Sequence, residues 1–198
     1  MRCLRHRQTQ LVCMLICIAA VFMFIVPVYA EESQLYFNQI STKNGLSHNR
    51  VHAIMQDSRG FLWIGTSDGL NRYDGITFKT FYKDELELNS SFIVTLCEDN
   101  QGNLWVGTDN GVTVYDSKKD QFKRFDLVSN TGLSIQNKVP LIQKDEKGFI
   151  WIAANNQGLF SYNPDKGELL NYFVKNGKQQ LPANITTLYF DKNKRCWL

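Results

Sequence analysis

Asp57-Ser-Arg-Gly60-Phe-Leu-Trp63-Ile-Gly65-Thr66 recurs as Asp99-Asn-Gln-Gly102-Asn-Leu-Trp105-Val-Gly107-Thr108. A third copy reads Asp145-Glu-Lys-Gly148-Phe-Ile-Trp151-Ile-Ala153-Ala154, and a fourth begins at Asp191 and reaches Trp197-Leu198. The four tryptophans are spaced 42, 46 and 46 residues apart, and an aspartate stands six residues before each of them. A fixed period in the forties marks a repeat architecture in which each copy is one supersecondary unit.

The copies stay in step downstream. Gly69-Leu-Asn-Arg-Tyr73-Asp74 corresponds to Gly111-Val-Thr-Val-Tyr115-Asp116 and to Gly158-Leu-Phe-Ser-Tyr162-Asn163. An aromatic or apolar cluster follows each: Phe78 to Tyr82, Phe122 to Phe125, Leu169 to Phe173. Val51, Ala53 and Met55 alternate with other neighbours, Leu62-Trp63-Ile64 is a short apolar run, and no later stretch sustains a helical period. Asp57 and Gly60 suit a hairpin turn, with a carboxylate to cap it and a glycine for positive φ; Ser67-Asp68-Gly69, Asp109-Asn110-Gly111 and Asn156-Gln157-Gly158 suit another, one strand later. Four short antiparallel strands in 42–46 residues are one β-propeller blade. The expected fold is therefore all-β: propeller blades in an incomplete ring of about three and a half, where propellers use about 4 to 8.

These residues resemble the two-component regulator propeller repeat, whose pattern is similar to Asp-x-x-Gly-x-Leu-Trp-Ile-Gly-Thr followed by Gly-Leu-x-x-Tyr-Asp. The family's inter-blade Gly-Leu-Ser-x-Asn appears as Gly45-Leu46-Ser47-His48-Asn49, with weaker forms at Leu88-Asn89-Ser90 and Gly132-Leu133-Ser134-Ile135-Gln136-Asn137. The third blade departs at Ala153-Ala154, and the fourth carries Lys194 at the turn glycine. The resemblance implies a hybrid two-component sensor histidine kinase and response regulator. Its periplasmic propellers would be followed by a β-sandwich, an inner-membrane helix and cytoplasmic modules. It further implies a ligand among polysaccharide breakdown products and a homodimeric parent receptor.

The leader supports export. Arg2, Arg5 and Arg7 precede an apolar run over residues 11–28, and Val28-Tyr29-Ala30 supplies a small-x-small site before Glu31-Glu32. Residues 1–30 read as a cleaved signal peptide, with an uncleaved anchor as the alternative; Ile16 before Cys17 argues against a lipoprotein signal. The expected organisation is then a closing outer strand and linker (31–50, with the strand at Leu35-Tyr-Phe-Asn-Gln-Ile40), blades at 51–92, 93–138 and 139–184, and the truncated start of a fourth at 185–198. On this reading the chain is a fragment whose first partner is the remainder of its own propeller.

Removing the leader takes three arginines from 22 basic residues and none from 19 acidic ones, so the mature charge is balanced. A nucleic-acid partner is excluded, because phosphate binding needs a basic surface. Cys97 and Cys196 form no framework and sit at apolar strand positions, where buried thiols are expected.

No nucleophile elbow, phosphate loop or kinase signature is present, and neither a catalytic residue nor a cofactor is assigned. Trp63, Trp105, Trp151 and Trp197 invite a sugar-stacking reading, but their fixed register argues for packing between blades. Asp57, Asp99, Asp145 and Asp191 lack the spacing of a calcium loop and read as turn caps, so no metal site is assigned. The repeat positions Gly60, Gly65, Gly102, Gly107 and Gly148 read as structural too. His48 and His52 straddle a loop without the glutamate of a zinc helix, and Glu85 and Glu87 read as a solvated linker pair. The candidate ligand region is the set of inter-blade linkers at residues 41–50, 83–91 and 126–138. Three functional classes follow: a sensory domain of a membrane receptor, a propeller enzyme (a quinoprotein dehydrogenase or a polysaccharide lyase or hydrolase), and a truncated product with no role of its own. The family resemblance favours the first.

Overall fold

The first copy of the repeat folds as an antiparallel meander of β1 (Val51–Gln56), β2 (Leu62–Thr66), β3 (Leu70–Tyr73) and β4 (Phe78–Phe81). The second repeats it with β5 (Ile93–Glu98), β6 (Leu104–Thr108), β7 (Gly111–Asp116) and β8 (Gln121–Arg124). The third uses β9 (Leu141–Lys144), β10 (Ile150–Ala154), β11 (Gly158–Asn163) and β12 (Glu168–Asn171). Two small hairpins follow, β13 (Val174–Lys175) with β14 (Lys178–Gln179), and β15 (Tyr189–Phe190) with β16 (Cys196–Trp197). This computed structural model describes Met14 and residues 37–83, 88–172, 174–175, 178–179, 181–193 and 195–198.

These are propeller sheets in series, and they do not close into a ring. The first strands of successive sheets lie against one another, β1 by β5 and β5 by β9, as inner strands do around a propeller axis. The unit they form with their linkers runs from Gln39 to Leu198. Of the expected closing strand, Phe37 to Ile40 are described and carry no strand, while Leu35 and Tyr36 lie outside the described residues. The same holds for the leader apart from Met14; among the described residues no helix is long and apolar enough to cross a membrane.

Each turn between the first two strands of a sheet follows from its aspartate and its glycine. Asp57 Oδ1 accepts the backbone N–H groups of Arg59 and Phe61, and Gly60 turns the chain back at φ +92°, where a Cβ would be strained. Gly102 and Gly148 take the corresponding positions, and Lys194 of the fourth copy lies outside the described residues.

The core is shared between sheets rather than enclosed by one. Trp63, Leu70 and Phe81 of the first sheet pack with Ile93, Leu104, Val106, Tyr115 and Phe122 of the second, over linker residue Leu88. Trp105, Val112 and Phe125 pack likewise with Ile142, Ile150, Ile152, Phe160 and Leu169 of the third, over Ile135 and Val139. Each large side chain so buried contributes about 1.5–3 kcal/mol relative to exposure. Sharing explains Gly65: a Cβ there would stand 2.5 Å from Cγ2 of Ile93 in the next sheet. At Gly107 it would meet Thr95 Cγ2 at 2.5 Å and Val139 Cγ1 at 3.0 Å. In the third sheet the position holds Ala153, buried among Leu159, Ile185 and Leu188.

Burial also differs between copies of one position. Ile93 at the head of β5 is fully buried between two sheets, whereas Val51 at the head of β1 is exposed, because β5 has a described neighbour on each side and β1 on one. Trp63 is fully buried and Trp197 is 55% exposed for the same reason. The expectation of two buried thiols needs correction: Cys97 is half-buried and Cys196 is exposed on β16.

Candidate functional site

The aspartates that cap the turns also hold the tryptophans. Oδ2 of Asp57 accepts the indole N–H of Trp63 at 2.9 Å, and Asp99 and Asp145 accept those of Trp105 and Trp151 at 3.0 Å. Asp191 accepts the Trp197 N–H at 3.1 Å. Burial opposes ionisation of Asp57, but hydrogen bonds from Trp63, Arg59 and the Phe61 N–H, with the Arg59 charge, hold its carboxyl below the ordinary range. Each of these carboxylates takes three or four hydrogen bonds from its own turn and tryptophan. They are brackets that tie each turn to its tryptophan.

The 41–50 linker, the described part of 83–91 and the 126–138 linker beyond Leu127 lie on one face with the turns between second and third strands. Ser47 reaches Thr66 Oγ1 at 2.9 Å and the buried Asn71 through its N–H (3.0 Å) and hydroxyl (2.8 Å). Asn89 bonds Thr113, and Gln157 donates to Ser134 O while its own carbonyl faces the N–H groups of Gln136 and Asn137. Leu46, Leu88 and Ile135 are buried beneath these contacts. Much of each linker is thus structural cement. Residues 84–87, with Glu85 and Glu87, lie outside the described residues.

Arg50, Phe92 and Lys138 occupy one repeat position on this face. Their carbonyls accept the N–H groups of Ser67, Asp109 and Asn155. His52 bonds Ser67 Oγ at 2.9 Å and packs on Phe92 with ring centroids 4.8 Å apart, while His48 Nδ1 accepts the Arg50 N–H. Desolvation, then the charges of Arg50, Lys138 and His48, lower the pKa of His52.

The opposite face, with the aspartate turns, holds two dissimilar wedges between sheets. The first wedge is full. The Arg72 guanidinium lies over Phe61, Trp63 and Phe81 and donates to Tyr115 Oη at 2.9 Å and to Asp120 at 3.4 Å. Tyr115 donates to Asp120 as well, and Lys79 approaches that carboxylate at 3.6 Å. Arg59 joins Asp57 at 3.0 Å and Ser117 O at 3.2 Å across the sheets, and Ser58 bonds Glu98.

The second wedge is a cleft of about 710 Å³ between the second and third sheets. Asp99, Gln101, Asn103, Trp105, Val114, Lys123 and Phe125 form one wall and Tyr162, Pro164 and Gly167 the other, with Arg124, Asp126 and Leu127 also lining it. Burial and the nearby Asp99 charge raise the Tyr162 pKa. A smaller cleft of about 230 Å³ follows near Trp151, Phe190 and Cys196. Of the positions singled out in the sequence, Asp99, Trp105 and the start of the 126–138 linker (Asp126, Leu127) line the larger cleft; Gln101, Asn103, Val114 and Tyr162 were not named as ligand candidates.

Comparison with known proteins agrees with this architecture. Residues 45–68 and 87–110 match the family model described as two component regulator propeller. A 56-residue stretch is 43% identical to histidine kinase P4 of Formosa agariphila; it is 28% of this chain and 4% of that protein. The extracellular domain of a putative hybrid two component system of B. thetaiotaomicron superposes with a TM-score of 0.61 at 27% identity, over 75% of this chain and 22% of that one. A second such domain from the same organism gives 0.65 at 20% identity, over 81% and 28%. A catalytically inactive virginiamycin B lyase from Staphylococcus aureus gives 0.55 at 16% identity, over 75% and 48%, a likeness of fold alone. The chain spans about a quarter of the length of those extracellular domains and a small fraction of the kinase.

Proposed function

We propose that this chain, which carries repeats of the two-component regulator propeller family, is a ligand-sensing propeller segment of a hybrid two-component regulator, exported to the periplasm and responsive to a glycan breakdown product. The observation that carries the reading is the match of two successive repeats to that family, on sheets like those of an extracellular sensor domain at 27% identity. The balanced charge left once the leader is removed fits a ligand other than nucleic acid. In this role the segment does no chemistry; the kinase belongs to the parent receptor, homodimeric and anchored in the inner membrane. The blades offer a braced all-β surface. A ligand acts by binding one of two receptor states more tightly, shifting the arrangement of the paired subunits. Calorimetry of the chain against a broad panel of neutral and acidic oligosaccharides tests the reading. Heat from one glycan class with saturable stoichiometry is the expected result, and silence across the whole panel overturns it.

A further inference from the structure

We infer that the cleft between the second and third sheets binds a neutral, hydroxyl-rich ring of one or two saccharide units. The inference rests on the sensing role proposed above and gives it a place between two sheets, which the 126–138 linker touches only through Asp126 and Leu127.

The cleft exists because four side chains that fill the first wedge are replaced in the second. Strand register makes the repeats comparable: Trp63 pairs with Arg72 and Tyr73 with Phe78, while Trp105 pairs with Val114 and Tyr115 with Phe122. Arg59, Phe61 and Arg72 on one wall thus become Gln101, Asn103 and Val114. Across the gap, Asp120 becomes Gly167; both have positive φ, 53° and 65°. The clamp is removed from both sides at once. Tyr162 stands where Tyr115 meets Arg72 and Asp120, and among the described residues its hydroxyl has no hydrogen-bond partner.

The lining selects the ligand. Asp99 is already saturated by the N–H groups of Gln101 and Asn103, the Asn103 side-chain amide and the Trp105 indole at 2.8–3.0 Å. Lys123, Arg124 and Asp126 are exposed. The charges on the lining are thus solvent-screened at the rim, where an ion pair to a ligand contributes little, and no unpaired charge lies deeper in the cleft. What remains is apolar surface from Val114, Phe125, Tyr162 and Pro164, beside the Gln101 and Asn103 amides and the Tyr162 hydroxyl. Amides and a phenol both donate and accept, as sugar hydroxyls do, and an apolar ring face suits the rest. The volume, about 710 Å³, lies within the common range for small-molecule sites.

The test rebuilds the missing clamp. V114R/G167D restores the counterparts of Arg72 and Asp120 and fills the cleft, so its melting temperature should hold or rise. The full chain and this variant are titrated calorimetrically with glucose, galactose, mannose, xylose and their neutral disaccharides. At least one probe should bind the unmodified chain and bind V114R/G167D at least tenfold more weakly; Y162F, which removes only the hydroxyl, should weaken it severalfold. Equal binding to the unmodified chain and V114R/G167D overturns the cleft assignment and leaves the sensing role intact. No heat from any neutral probe also overturns the cleft assignment, and the sensing role falls with it only if acidic oligosaccharides are silent too.

Discussion

Asp57 and Trp63 are joined across a hairpin by a 2.9 Å hydrogen bond from the indole N–H to Oδ2, while Oδ1 of the same carboxylate takes two backbone N–H groups of the turn. One side chain therefore sets the turn and the orientation of the largest ring in the core. Asp57→Asn keeps the size but turns an acceptor into a donor facing Trp63 and Arg59. Leaving a buried donor unsatisfied costs about 1–3 kcal/mol. Urea denaturation should show Asp57→Asn destabilised by that amount. Asp191→Asn should cost much less, because the Trp197 ring that Asp191 holds is exposed.

The same brackets predict an acid limb. Asp57 is held below its ordinary pKa by hydrogen bonds that outweigh its burial. Asp191 is lowered chiefly by the Arg195 N–H, and Asp120 chiefly by the Tyr115 hydroxyl. A depressed folded-state pKa gives stability that is present above the unfolded value and lost as pH falls through the folded one. The lowered pKa of His52 should give a small first decline below about pH 6.5, and the aspartates the main one below about pH 4, the unperturbed carboxylate range. Thermal melts from about pH 2 to about pH 7 check this. Asp57→Asn should flatten part of the limb, and an unchanged limb in that variant would show that Asp57 does not contribute to it.

Gly65 is a packing glycine. Its substitution by alanine puts a methyl 2.5 Å from Ile93 Cγ2, where the second strand of one sheet meets the first strand of the next. Overpacking of this kind costs about 1–3 kcal/mol. Gly65→Ala should lower the denaturation midpoint by that measure. Gly60→Ala, in open space but at φ +92°, should lower it through backbone strain instead, leaving the Ile93 contact in place. Methyl NMR shifts at Ile93 separate the two.

The propeller sheets were legible because their signal is periodic: tryptophans in register, Asp-x-x-Gly turns, and a Gly-Leu or Gly-Val start to each third strand. The aspartate-to-indole bond left a trace too, in the constant spacing of six, but turn capping alone accounts for an aspartate there. Seeing the second duty requires knowing that the hairpin folds Trp63 back over Asp57. The cleft was out of reach for a different reason. Gln101 and Val114 carry no signal of their own, and their meaning depends on Gly167 facing them from another sheet, where Asp120 faces Arg72. Exposure of Cys196 and Val51 likewise reflects which sheets flank a strand, and no local pattern encodes that.

The Arg72–Tyr115–Asp120 clamp carries the last prediction. Asp120 is 56% exposed on its side chain, so its ion pair with Arg72 is solvent-screened and contributes under about 1 kcal/mol. Arg72 is different, since its guanidinium also covers Phe61, Trp63 and Phe81 and donates to Tyr115. Asp120→Ala strips the buried Tyr115 hydroxyl of its acceptor, so each single substitution should cost about 1–3 kcal/mol, Arg72→Ala through lost packing and Asp120→Ala through that lost hydrogen bond. High salt should remove only the small ion-pair share of either cost, because neither the packing of Arg72 nor the Tyr115 hydrogen bond to Asp120 is screened away. A double-mutant cycle measured at low and high salt checks it. Costs that vanish at high salt for both single variants would mean that the ion pair, and not the stacked guanidinium, holds the first wedge closed.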